Sequence, residues 1–216
     1  MNMPSKDAHA AASGPLGELG FRKRSGGVFT LTLTPEIDGW LGLNTATEHT
    51  AKGEVEVHPV VGVSHALIER WLDDLMQLAG LMEPPKRRYI CATLSAPLYF
   101  LIDERHYRSW LFTPSTASQF GRDLAAAVAK YGMPFMRSMS DLNSVRAGVE
   151  KHSADFWGPI ARGAIAAHLV GDDEKAFVIL DEAIAKHGLR SEKTADMIRR
   201  VREAFAKRLS QPPPVG

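Results

Sequence analysis

Residues 54–80 read EVEVHPVVGVSHALIERWLDDLMQLAG, and the hydrophobic period changes once within them. From Glu54 to Val63 the side chains alternate, with Val55, Val57, Val61 and Val63 on one face and Glu54, Glu56 and His58 on the other. A period of two belongs to a half-buried strand. Pro59 has no N–H for the ladder, so it predicts an edge position or a bulge. From Ser64 to Ala79 the period lengthens. Leu67, Ile68, Trp71, Leu72, Leu75, Leu78 and Ala79 recur at three- and four-residue steps opposite Glu69, Arg70, Asp73 and Asp74. That is an amphipathic helix, with Ser64 suited to cap its start and Gly80 to stop it. A strand feeding such a helix predicts a sheet with the helix covering one face.

On the N-terminal side, Phe29 to Thr34 alternates Phe29, Leu31 and Leu33 with Thr30, Thr32 and Thr34. Trp40 to Thr47 offers Leu41, Leu43 and Thr45 as one face, and Asp38-Gly39 between the two reads as a turn. Short connections of this kind make an antiparallel meander. Leu16 to Phe21 reads as a short helical turn, and Met1 to Pro15, rich in Ala, Ser, Gly and Pro, as a disordered leader with no apolar block for a secretory signal. On the C-terminal side two more strands are expected, Arg88 to Leu94 and Arg108 to Phe112, with Leu98 to Ile102 pairing the latter as a hairpin.

From Ser115 onwards the pattern is helical: Ser115 to Tyr131, stopped by Gly132 and Pro134, then Ser140–His152, Asp155–Val170, Asp172–His187 and Ser191–Leu209. The tail from Gln211 to Pro214 cannot continue a helix and is expected to be flexible. The fold class is therefore α+β: an antiparallel meander covered by a helix over residues 16–114, then an all-helical bundle over 115–209. Residues 1–15 and 210–216 are left as leader and tail.

The 216 residues suffice for one large domain or two small ones, and 44% hydrophobic with 24% charged residues is ordinary globular composition. Lys and Arg total 26 against 25 Asp and Glu, a net charge of +1, which lacks the basic excess of a phosphate-coating protein. One cysteine, Cys91, excludes an intrachain disulfide and fits a reducing compartment. The longest apolar stretch, Ala92 to Ile102, is broken by Ser95 and Pro97 and falls short of a membrane span. A cytoplasmic location follows as the expectation.

Gly171-Asp172-Asp173-Glu174-Lys175-Ala176, followed by Leu180 and Ala183, resembles the second helix of a tetratricopeptide repeat, where a small residue at Ala176 admits close helix approach. Gly163, Ala164 and Ala167 stand where the first-helix signature would be, and no second copy lies 34 residues away. The resemblance implies one helical hairpin rather than a peptide-binding array. Leu19-Gly20-Phe21-Arg22-Lys23-Arg24 and Gly27-Val28-Phe29, with a later Gly132-Met133-Pro134-Phe135, resemble an uncharacterised bacterial domain of unknown function. That resemblance implies a fold and brings no catalytic residues.

Gly62-Val63-Ser64-His65-Ala66 approximates the Gly-x-Ser-x-Gly elbow, in which Ser64 would attack an acyl carbon with help from a histidine and a carboxylate. A helix cap explains the same serine without further parts. His65 and Glu69, one helical turn apart, and His58 outline a metal site without the tight spacing of His-Glu-x-x-His or Cys-x-x-Cys, so no metal is expected. Cys91 in Tyr89-Ile90-Cys91-Ala92 reads as a small buried hydrophobe. No Gly-rich phosphate loop is present, and no cofactor is expected. Arg190, Lys193, Arg199, Arg200, Arg202, Lys207 and Arg208 outnumber the acids of the last helix, which is the pattern of a solvated face or of contact with an anionic partner.

With fold signals in place and no assembled catalytic set, the expectation is a non-catalytic bacterial cytoplasmic protein of immunity or accessory type. Its partner would be another protein. The alternatives are a serine hydrolase acting through Ser64 and a nucleic-acid or anionic-partner contact through the basic C-terminal helix.

Overall fold

The computed structural model describes residues 3–48, 50–82, 90–102, 109–152 and 157–210. It is α+β, and the chain divides into two compact units, Met1–Ser64 with Ser95–Ser140, and His65–Leu94 with Asp141–Gly216.

The first unit is built on an antiparallel sheet of β1 (Arg22–Lys23), β2 (Val28–Thr32), β3 (Ile37–Ala46), β4 (Val55–His65) and β5 (Leu94–Pro97), in that spatial order, with β6 (Trp110–Phe112) also paired to β4. Phe29 faces Leu41 across β2 and β3, and Val55 faces Phe112 across β4 and β6. The hairpin between β2 and β3 turns at Thr34 rather than at Asp38-Gly39. The Thr34 hydroxyl accepts the Ile37 N–H at 3.1 Å, and Asp38 and Gly39 lie inside β3. Pro59 sits in an interior strand without shifting the alternation, since Val55, Val57, Pro59, Val61 and Val63 are all buried. It lies beyond the last β4 residue that pairs with β6, Val57. The strand expected over Arg88–Leu94 is absent where it is described, at residues 90–93; its first residues lie outside the described ones. Leu98–Leu101 forms a 3-10 turn and not one arm of a hairpin, and residues 103–108 lie outside the described ones.

The stretch expected to be a loose leader is helix α1 (Met3–Glu18), and Ala8, Ala12 and Leu16 on it are fully buried. Its buried alanines serve close packing. A Cβ at Gly121 of α3 (Ala117–Ala127) would fall onto the Ala11 carbonyl oxygen, so the two backbones approach to a distance only glycine permits. Pro15, inside α1, has no N–H to give that carbonyl, which the Gly121 α-carbon faces instead.

Pro134 does not stop the next helix. Val128–Gly132 widens into a π-helical turn, in which the Met133 N–H reaches the Val128 carbonyl, and α4 (Met133–Arg137) continues beyond it. The wider turn leaves room for a proline ring that would collide with the preceding turn of a regular helix. α4 packs on β3, where a Cβ at Gly39 would meet the Met136 sulfur at 3.0 Å. The helices on this sheet are thus α3 and α4, together with α1 at β1.

The second unit is helical: α2 (Ala66–Leu78), α5 (Leu142–His152), α6 (Trp157–Leu169), α7 (Asp173–Gly188) and α8 (Glu192–Leu209). α2, expected to cover the sheet, packs on α6 and α8 through Ile68, Leu72, Leu75 and Met76. It ends at Gly80, whose φ of 62° suits glycine; the Leu81 N–H returns to the Met76 carbonyl at 2.9 Å and the Gly80 N–H to that of Gln77 at 2.9 Å. α6 and α7 form a hairpin with Gly171 at φ 87° in the turn, Asp172 capping α7 and Ala176 fully buried. Residues 211–216 of the expected tail lie outside the described ones.

Gly121→Ala is expected to cost about 1–3 kcal/mol, because a backbone carbonyl cannot swing aside as a side chain can. Gly14→Ala, with nothing within 4 Å of the new methyl, is expected to raise stability by up to about 1 kcal/mol. Urea denaturation of the two variants checks both signs.

Candidate functional site

Arg162 is the only Lys, Arg, Asp or Glu in the mostly apolar helix Trp157–Leu169, and it needs a partner to be buried there. It finds Glu69 on α2: Nε donates to Oε1 at 2.7 Å and the guanidinium NH2 to Oε2 at 2.8 Å, with the two side chains only 15% and 19% exposed. Thr93 completes the set. Its hydroxyl donates to Glu69 Oε1 at 2.8 Å and accepts the His65 backbone N–H at 2.8 Å. Glu69 thereby takes three donors, and Arg162 is held above its ordinary pKa by Glu69 against the opposing cost of burial.

Chemically this is a sealed ion pair. Both Glu69 oxygens are engaged by donors, which leaves the carboxylate little to offer a metal. Among the described residues no group of three His, Cys, Asp or Glu side chains could hold a metal ion. The His65 backbone N–H joins the Glu69 network through the Thr93 hydroxyl.

Ser64 is neither elbow nor cap. It lies inside β4, one residue before the strand ends, and the cap position of α2 falls on His65, whose side chain does not cap. No described non-glycine residue has a positive φ, so the strained backbone of a nucleophile elbow is not present at Ser64. Cys91, expected to be buried, is exposed. Protein packed behind it, and then the Glu69 carboxylate, push its thiol pKa up, with Arg162 opposing. It is exposed without being activated.

The basic residues of α8 are largely committed to the second unit itself. Arg202 forks onto Asp181 at 2.5 and 3.0 Å, and Arg199 reaches Glu192 at 2.9 Å. Arg200 donates to the Ala79 carbonyl at 2.5 Å, and Arg208 lies 3.8 Å from Asp74 and 5.0 Å over the Trp71 ring. These contacts tie α8 to α2 and α7 around Trp71, Phe177 and Phe205.

A second feature has no counterpart in the sequence reading. Helices α5, α6 and α7 leave a groove of about 350 Å³ with Val149, Ile160, Gly163, Ile179 and Ala183 in its wall. Glu150, Lys175, Glu182 and Lys186 border it, and buried His187 lies at the α7 end. The half-buried Ile160 and Ile179 sit beside Gly163, whose missing side chain leaves room between the helices.

The chain matches no family model, no curated protein and no solved structure. No described helix is long and apolar enough to cross a membrane.

Arg162→Met leaves Glu69 buried without its countercharge and is expected to cost about 3–5 kcal/mol. Glu69→Gln combined with Arg162→Met should cost less than the sum of the single changes, which a double-mutant cycle in urea measures. Cys91 should react with iodoacetamide at pH 7.5 more slowly in the native protein than in urea, and Glu69→Gln should speed the native reaction.

Proposed function

We propose that this chain is a non-catalytic, cytoplasmic binding protein whose target is another protein, and that the α5–α6–α7 groove receives it. The groove carries the reading. Its wall is apolar and its border bears two lysines and two glutamates, so it matches no ligand of a single charge. A polypeptide supplies what such a surface takes: an apolar side chain for the wall, and a polar backbone with flanking side chains for the rim. The volume of about 350 Å³ is at the small end for a cofactor pocket and fits one or two anchoring side chains. The α6–α7 hairpin, with its small buried residues, supplies a rigid wall of the kind that helix-groove recognition uses. An immunity-type or accessory role, in a bacterial setting, is the form this function would take.

Selection of a displayed random-peptide library tests it. Enriched peptides should carry an apolar anchor, and the Ile179→Arg protein, folded by circular dichroism and thermal melting, should bind them at least tenfold more weakly. If wild type enriches no peptide, or the variant binds the same peptides equally well, the groove is not the site.

A further inference from the structure

We propose that His9 makes the seating of helix α1 on its sheet depend on pH, because the ring is enclosed between Leu43 and Gly27 with a partner for one proton only. His9 is 3% exposed, midway along α1. Its Nε2 stands 3.1 Å from the Leu43 carbonyl oxygen of β3, which can only accept, so Nε2 bears the proton. Nδ1 is buried and has no hydrogen-bond partner. Gly27 closes the ring in: a Cβ there would lie 2.5 Å from the His9 Cε1, so this position must stay glycine on space as well as on its φ of 80°.

A second proton would have to go on Nδ1. It would create a buried N–H with no acceptor and a buried charge with no countercharge, both costly. The groups around the ring do not relieve that cost. β3 presents the Leu43 carbonyl, and the turn before β2 presents Gly27. Lys23 of β1 repels an imidazolium. Arg122 and Asp123 of α3, like Lys6 and Asp7 beside His9 on α1, are exposed. Burial, with Lys23 adding to it, holds the imidazole below its usual pKa.

The sign follows. A group whose folded pKa is lowered supports the docked helix above its unfolded value, about 6.5, and loses that support as pH falls from there toward the folded pKa. A second polar tie from α1 to β3, the Ser5 hydroxyl to the Thr45 hydroxyl at 3.0 Å, does not titrate in this range. Acid therefore acts on α1 at His9, and lifting the helix would uncover the Gly121 face of α3.

Hydrogen exchange between pH 7.5 and 5 reads this directly. After correction for intrinsic exchange, protection of the α1 amides should fall by up to about tenfold per pH unit below about 6.5, while β4 amides keep theirs. His9→Gln retains an N–H for Leu43 and does not titrate, so its α1 protection should be flat with pH. Unchanged α1 protection, equal loss in β4, or the same loss in His9→Gln would each overturn the proposal. Should His9→Gln not fold, the wild-type imidazole titration by NMR decides: a His9 pKa at or above 6.5 refutes the proposal, and one below it supports it.

Discussion

Two opposite charges shut between α2 and α6 set the terms for the helical unit. Neither Glu69 nor Arg162 would be tolerated alone at 19% and 15% exposure, so each requires the other at bidentate distance. That requirement fixes the rotation of α2 about its axis and the depth of α6 against it. Through Thr93 it also reaches the first backbone N–H before α2, at His65. The aromatic cluster of Trp71, Phe177 and Phe205 and the arginines of α8 then close around helices whose relation is already set. The same pair decides what the site cannot be. A carboxylate with three donors is stabilised in place and has little left to offer a substrate or a metal.

The sheet-bearing unit rests on close approach rather than on charge. α1 meets α3 where Gly121 stands against the Ala11 carbonyl, and small side chains along α1 are what make that contact possible. A segment that looks poor in core-forming residues is therefore ordered by close backbone approach, with Leu16 and His9 as the large buried side chains among the described ones. Close packing of this sort leaves no spare volume, and so a histidine caught within it has its protonation state chosen by its surroundings.

The two units offer different functional material. The groove of α5, α6 and α7 is a surface feature with an apolar wall and a rim of mixed charge, suited to contact with a polypeptide. His9 is an interior feature that makes one helix responsive to acid. Ser64 lies in a strand, Cys91 is exposed with its thiol pKa pushed up, His65 is buried and His58 is half-buried.

Much of the architecture was written in local pattern. The alternation of Val55 to Val63, the stripe from Ile68 to Leu75, and Gly80, Asp172 and Ser191 at helix ends act over a few residues, and the structure carries them out nearly as they read. What the sequence by itself determined is this run of strands and helices and the α+β class. Which elements pack together was decided only by tertiary structure. Glu69 and Arg162 lie 93 residues apart, and Ala11 and Gly121 are farther apart still in the chain. Their energies come from burial and close approach, which exist only once distant segments have met. The leader that is a helix, the proline that a π-turn absorbs, and the groove beside Gly163 all follow from contacts of that kind.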